Sequence, residues 1–151
     1  MKYYVNPHLI LEKDNKVLLL YRENTPVCNH VWCTPTGGIE EGESPSSAMK
    51  REAFEEIGIT LGQLQQVCTV FYKGPDFFEP SKPYYDVDIF FKALSYEGTP
   101  FNKEPHKHKE IQWFDIDHLP SNVLPLVRHG IKCYKNGVAY SELQSDHIIK
   151  D

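Results

Sequence analysis

Ser44-Pro45 and Gly58 bracket thirteen residues, and no other feature constrains the fold of this chain as tightly. A serine side chain can accept from a free backbone N–H at a helix start, and proline in the first turn loses nothing by lacking its own. Glycine closes a last turn by adopting the left-handed conformation. The pattern predicts a helix over residues 45–57, about 20 Å long at ~1.5 Å per residue. At 100° per residue, Glu52, Glu55 and Glu56 fall on one face. Met49, Ala53, Phe54 and Ile57 fall on the other as the buried stripe, with Lys50 snorkelling from its edge.

Three carboxylates at i, i+3 and i+4 repel one another, by a few tenths of a kcal/mol per pair. A hard divalent cation removes that repulsion, and oxygen donors suit Mg2+ or Mn2+. The alternative is a solvated acidic face paired to nearby bases. The loop before the helix favours the cation. Pro35-Thr36-Gly37-Gly38 lets the backbone turn tightly and approach the carboxylates, so that the Thr36 carbonyl completes the metal shell. Gly42 allows the second turn into the helix. Arg51 carries a planar fork of donors suited to Glu43, a pairing that would hold loop to helix. An i, i+4 contact with Glu55 is the other option, and the two are compatible.

The stretch from Gly37 to Ile59 also resembles the signature of the Nudix hydrolases. Gly37, Glu43, Arg51, Glu52, Glu55, Glu56, Gly58 and Ile59 fill their slots, and Ala53 stands in an aliphatic one. Beyond this box, Trp32 with Pro35, Glu104-Pro105, Trp113-Phe114 and Leu119-Pro120 look like the MutT-like members that hydrolyse nucleoside triphosphates. The resemblance implies an α/β/α sandwich with a mixed central sheet, spanning about residues 3–136. It also implies hydrolysis of a nucleoside diphosphate linked to a group X, with Mg2+ or Mn2+. The expected reaction turns a nucleoside triphosphate into the monophosphate and pyrophosphate.

In that reading Glu52 and Glu56 are the first-choice metal ligands, with Glu55 bridging or holding a second ion. The base is Glu52 through its bound water, or a loop glutamate, Glu104 before Glu110. Arg22 is expected to touch substrate phosphate, or else to pair with Glu23. The pattern departs from the family at Thr36, which replaces a glycine and would alter the loop if a positive φ were needed there. Members that purge oxidised guanine nucleotides can carry paired aspartates after Leu-Pro. Leu124-Pro125-Leu126-Val127 has none, which weighs against that speciality. ADP-ribose, a sugar nucleotide, a dinucleoside polyphosphate or a capped RNA end are the alternative substrates, and a non-catalytic nucleotide sensor the alternative class.

The rest of the chain fits a soluble enzyme. At 151 residues, with 40% hydrophobic and 25% charged side chains, it suits one domain, residues 1–151. There is no run of eighteen apolar residues and no apolar signal core, so a cytoplasmic location and no membrane are expected. Cys28, Cys33, Cys68 and Cys133 form no Cys-x-x-Cys pair and read as reduced, mostly buried thiols, a zinc site at Cys28, His30 and Cys33 being the alternative. A net charge of −5 argues against an extended nucleic-acid surface. The expected partner is a small nucleotide, bound by a monomer or homodimer. Lys103, His106, Lys107, His108 and Lys109 form the only basic cluster, read as a solvated loop or a phosphate contact.

Strands are expected at Val5–Glu12, Lys16–Arg22, Leu64–Tyr72, Tyr84–Leu94 and Glu110–Asp115, a short helical turn at Ile116–Leu119, and a second helix at Leu124–Tyr134. Val31–Thr34 leads into the glycine loop. Lys73–Pro83 and Thr99–Lys109 read as long loops, and the tail after Ser141 as poorly ordered. Phe71, Tyr72, Phe77, Phe78, Tyr84 and Tyr85 flank the first loop and either stack a base or fill the core rim. Trp32 and Trp113 are expected in the core.

Overall fold

Leu9 and Leu11 pack toward one helix, and Ile10 between them toward the other. That alternation, repeated in the next long strand, organises the molecule. The computed structural model describes residues 1–146. Its elements are β1 (Tyr3–Ile10), β2 (Glu12–Lys13), β3 (Lys16–Arg22), β4 (Trp32–Cys33), α1 (Pro45–Ile57), β5 (Thr60–Leu61), β6 (Leu64–Pro75), β7 (Pro83–Ala93), β8 (Tyr96–Glu97), β9 (His108–Asp115), α2 (Pro125–Lys135) and β10 (Tyr140–Gln144). One four-stranded sheet runs β1-β7-β6-β10 and is mixed, with β1 parallel to β7, β10 parallel to β6, and β6 antiparallel to β7. The second is antiparallel: β3 sits between β4 and β9, and β2 pairs with β3.

Successive side chains of a strand point to opposite faces. Leu9, Leu11, Leu18 and Leu20 therefore meet Met49, Ala53 and Ile57 of α1. Ile10, Val17 and Leu19 join Leu126, Val127, Ile131 and Cys133 of α2. Strands covered on both faces read as continuous apolar runs, as Leu18, Leu19 and Leu20 do. The result is an α/β/α sandwich with a mixed sheet. Gly130 lets α2 lie close to the strands, since a Cβ there would sit 2.1 Å from the Phe90 ring.

α1 begins and ends where its caps dictate. The Ser47 amide donates to Ser44 Oγ, the Ser44 amide donates to Ser47 Oγ, and Gly58 takes φ 69°. The buried stripe differs at one position. Phe54 is half exposed with the Lys103 ammonium 3.6 Å over its ring, and Glu56 is buried in its stead. Lys50 is exposed.

The other differences lie in the strands and the tail. β6 and β7 extend past Tyr72 and before Tyr84 as a paired ladder, Lys73 opposite Tyr85 and Pro75 opposite Pro83, so the long loop shrinks to residues 76–82. The tail after Ser141 is not loose through residue 144. Residues 140–144 add a parallel strand to the β6 edge, and the remainder of that expectation, 147–151, lies outside the described residues. Ile116–His118 is a turn rather than helix. Trp32 is buried and Trp113 half-buried against the α1-side core. Cys33, Cys68 and Cys133 are buried, and none of the four cysteines forms a disulfide. No helix of the described residues is long and apolar enough to cross a membrane.

Candidate active site

Two neighbouring hollows meet at the glycine loop, and the loop is held there by β1. The Leu9 amide donates to the Pro35 carbonyl at 2.9 Å, and Thr36 Oγ1 donates to the Pro7 carbonyl at 2.7 Å. Thr36 does not have a positive φ, so a threonine replaces the family's glycine without strain and uses its hydroxyl to fasten the loop. Gly42 does need its freedom, at φ 82°. Gly37 is required for closeness instead: a Cβ there would stand 2.1 Å from the Glu52 carboxyl carbon.

Arg51 ties this loop to α1. Its Nε and Nη2 donate to the two oxygens of Glu43 at 2.6 and 3.0 Å, a bidentate fork. Nη2 also donates to the Gly38 carbonyl, and Nη1 to Glu52 at 2.8 Å and Glu55 at 3.3 Å. Both pairings open in the sequence are therefore made. Arg51, through its hydrogen bonds, holds the Glu43 carboxyl below the usual range.

The first hollow is lined by Arg22, Thr36, Gly37, Glu52, Glu56, Glu104, Lys107 and His108, together with Asn24, Thr25 and Pro26. Glu104 reaches it because the loop after β8 docks on the end of α1. The Phe101 amide donates to the Ile57 carbonyl and the Lys103 amide to the Glu56 carbonyl, both at 3.1 Å. Ligand atoms of Glu56, Glu104 and His108 all lie within 4.8 Å of one another. Glu56 accepts from the Thr36 amide at 2.9 Å and lies 3.4 Å from His108 Nε2.

Burial, then the charges of Glu52 and Glu104, pushes the Glu56 carboxyl well above its usual range, with the Thr36 amide pulling the other way. Burial raises Glu52 as well, against the pull of Arg51. His108 is driven down to about 4, chiefly by burial and then by the Arg22 charge. At neutral pH its contact with Glu56 is consequently not an ion pair. The imidazole's Nδ1 is buried with no hydrogen-bond partner.

The sequence named Glu52, Glu56 and Glu104, and the fold brings them together. It missed His108, which was grouped with solvated bases; the alternation of β9, with His108 inward and Lys109 outward, is the signal that separates it. The basic cluster itself divides, as Lys103 covers Phe54 and Lys107 pairs with Glu104 at 3.2 Å. Glu55 is half exposed and Glu110 exposed, and neither lines the hollow. Arg22 lines both hollows but makes no pair with Glu23. Its donors go to the Cys28 and Val27 carbonyls and to Thr25 Oγ1, which shapes the loop after β3.

The second hollow shares Arg22, Thr36 and Gly37 with the first. Tyr72, Phe77, Tyr84, Leu124 and Leu126 form apolar walls; Asn6, His8, Asp86 and Asp88 supply polar groups. Of the six aromatic candidates, three therefore line it, while Phe78 is exposed and Phe71 and Tyr85 pack with Tyr3. His8 Nε2 meets Asp88 Oδ1 and Nδ1 meets Thr34 Oγ1, each at 2.9 Å. Burial alone would lower the His8 pKa, but the bond and charge of Asp88, with Cys33, carry it up to about 9. Asp86 is pushed up to about 7 by burial and then by the Asp88 charge.

The comparisons with known proteins agree with this geometry. The NUDIX domain profile matches residues 6–135. The RNA pyrophosphohydrolase of Rickettsia prowazekii is 38% identical over 131 residues, covering 80% of this chain and 79% of that protein. The ADP-ribose pyrophosphatase of Methanocaldococcus jannaschii is 32% identical over 111 residues, 74% of this chain and 61% of that one. The crystal structure of the MutT NUDIX hydrolase from Burkholderia pseudomallei superposes with a TM-score of 0.75 at 25% identity, over 87% of this chain and 98% of the other. The chain belongs to the NUDIX family, as a MutT-like hydrolase of phosphoric anhydride bonds.

Proposed function

We propose that this hydrolase is a Mg2+- or Mn2+-dependent nucleoside triphosphate pyrophosphohydrolase that releases the monophosphate and pyrophosphate. The observation that carries it is the junction of the two hollows at Arg22, Thr36 and Gly37. A flat base fits between the tyrosine and leucine walls while the phosphates lie over the carboxylates. Three carboxylates outnumber Arg22 and Lys107 in the first hollow, so a chain of phosphates there calls for a cation.

The residues fit one. Glu56 is a buried carboxyl that desolvation pushes well above its usual range, and a bound cation would offset the cost of its charge there. Glu52 and Glu56 would hold it, with the Thr36 carbonyl as a further candidate and neutral His108 near enough to add a nitrogen donor. The carboxylate and carbonyl oxygens suit Mg2+ or Mn2+, and the imidazole suits the harder Mg2+ less well. When bound, such an ion neutralises phosphate oxygens and acidifies water. The chain's own residues do the rest. Thr36 N–H orients the Glu56 carboxyl, and Arg51 orients Glu52. Gly37 leaves room for that carboxyl, and Glu104, at the rim beside Lys107, takes the proton of the attacking water. We assign positioning of the chain of phosphates to Arg22, which faces both hollows.

Free nucleoside triphosphates, ADP-ribose, dinucleoside polyphosphates and a 5′-triphosphorylated RNA oligonucleotide, each incubated with Mg2+ and with Mn2+, test the proposal. Chromatography should find monophosphate and pyrophosphate from the triphosphates. Glu56→Gln keeps the amide-accepting oxygen and should lower kcat by at least about a hundredfold; wild-type turnover in it would end the role given to Glu56. Turnover confined to the RNA would favour a second reading, supported by the identity to RNA pyrophosphohydrolases.

A further inference from the structure

Cys28 and Cys33, five positions apart, both line the second hollow beside Arg22, and neither has a part in the chemistry above. Cys68 and Cys133 line neither hollow and are buried in the core, and of the four thiols Cys28 alone is only half-buried. Cysteines that are partly exposed near a positive charge are the reactive ones, whereas thiols sealed in apolar surroundings are inert. Arg22 supplies that charge: its Nε donates to the Cys28 carbonyl at 3.0 Å and its Nη2 to the Val27 carbonyl at 3.2 Å. The segment between the two thiols doubles back along β3. The His30 amide donates to the Arg22 carbonyl at 2.8 Å, the Arg22 amide to the Val31 carbonyl at 2.9 Å, and Cys33 pairs with Leu20. Left-handed turns at Cys28 (φ 56°) and His30 (φ 58°), where a Cβ is disfavoured, make that return.

Resting on the hydrolase reading above for what is controlled, we propose that Cys28 and Cys33 form an oxidation site through which a hydroperoxide closes the nucleotide hollow. Cys28, the more exposed thiol, meets the oxidant first. Its sulfur attacks one peroxide oxygen and the O–O bond breaks. The other oxygen leaves as an alcohol, or as water, with the thiol's proton, and Cys28 becomes a sulfenic acid. The Cys33 sulfur then attacks the Cys28 sulfur and an S–S bond forms. The sulfenic oxygen leaves as water with the Cys33 proton. Two thiols have lost two electrons and two protons, and the peroxide has gained them. Cα atoms joined by a disulfide stand about 4.4–6.8 Å apart, so the bond pins the loop after β3 to β4. The bridge crosses the wall that a nucleotide would occupy, and it locks Arg22, whose guanidinium the same loop holds. A dithiol reductant reverses the bond by exchange.

The protein in EDTA is treated with hydrogen peroxide, the remaining thiols are blocked with N-ethylmaleimide, and the peptides are mapped by mass spectrometry. One disulfide should link Cys28 to Cys33, with Cys68 and Cys133 alkylated only after unfolding. Calorimetric titration of AMP and GMP should find affinity at least about tenfold weaker in the oxidised protein than in the reduced one, recovered with dithiothreitol. Cys33→Ser should stop at the sulfenic acid, which dimedone traps on Cys28, and Cys28→Ser should form no bridge. Should either variant not fold, the wild-type map and titrations decide alone. Cys28 and Cys33 both alkylated after peroxide, or a bridge that leaves nucleotide affinity unchanged, overturns the proposal. A bridge in a protein that binds no nucleotide even when reduced upholds the oxidation site while ending the nucleotide reading of the hollow.

Discussion

His8 shows how far a single buried residue can bias the whole protein's response to pH. Its imidazole is raised from 6.5 to about 9 by Asp88 and Cys33 against the cost of burial. Between those values the folded chain holds a proton that the unfolded chain has lost, so stability falls as pH rises through the window. The contribution is fully present below 6.5 and gone above about 9, on the order of 3 kcal/mol at most. Asp86, raised from 3.8 to about 7, pulls the same way at lower pH. Urea unfolding in EDTA at pH 6.5, 7.5, 8.5 and 9.5 should give a declining free energy, and His8→Asn should flatten it. A flat wild-type profile would mean that His8 is neutral in the fold. None of this was legible in the sequence, where His8 is one residue of an interrupted apolar run. Its charge depends on Asp88, eighty positions away.

At the scale of elements, α1 was readable to the residue because its determinants are local. Ser44, Pro45 and Gly58 act within one turn of where they stand. The face it buries was read less well. Angular position alone assigned Phe54 to the core, but the loop carrying Phe101 and Lys103 occupies only the end of the helix and leaves Phe54 half exposed. Glu56 took the buried place because the glycine loop supplies Thr36 N–H, and the segment after β8 with the start of β9 supplies Glu104 and His108 around it. The glycine loop follows the same division. Its turning was legible; that Gly37 serves contact with Glu52, rather than φ, was not. Gly37→Ala should therefore separate stability from activity. The group in the way is the mobile end of Glu52, so the melting temperature should fall by no more than a few degrees, about 1 kcal/mol. Catalysis should fall at least about tenfold as that carboxyl moves. Differential scanning calorimetry beside kcat/KM on a triphosphate measures both; near-wild-type kcat/KM would dissociate Gly37 from the site.

The whole molecule is joined by parallel pairings that local patterns cannot announce. β1 pairs with β7 from Tyr3 opposite Tyr85 to Ile10 opposite Lys92, and this alone sets Asn6 and His8 beside Asp86 and Asp88. β10 closes the opposite edge of the same sheet against β6. The Ala139 carbonyl accepts from Thr69, the Ser145 amide donates to Lys73, and His129 of α2 bonds Ser141. An edge stripped of this strand exposes a row of unpaired amides and carbonyls on β6, a template for pairing with other chains. A variant ending at Val138 should therefore melt several degrees lower and form oligomers at micromolar concentration, seen by light scattering. The two hollows are lined from β1, β3, β4, β6, β7, β9, α1, α2 and the loops between them, and no described residue of the removed segment lines either. At temperatures where the shortened chain stays folded and monomeric, its KM for nucleotide should stay within about threefold of wild type. A large change in KM with an unaltered melting temperature would mean instead that the β10 segment bears on the site itself. The mixed sheet would then have to transmit its edge to the Asp86–Asp88 strand through β6, the one strand hydrogen-bonded to both.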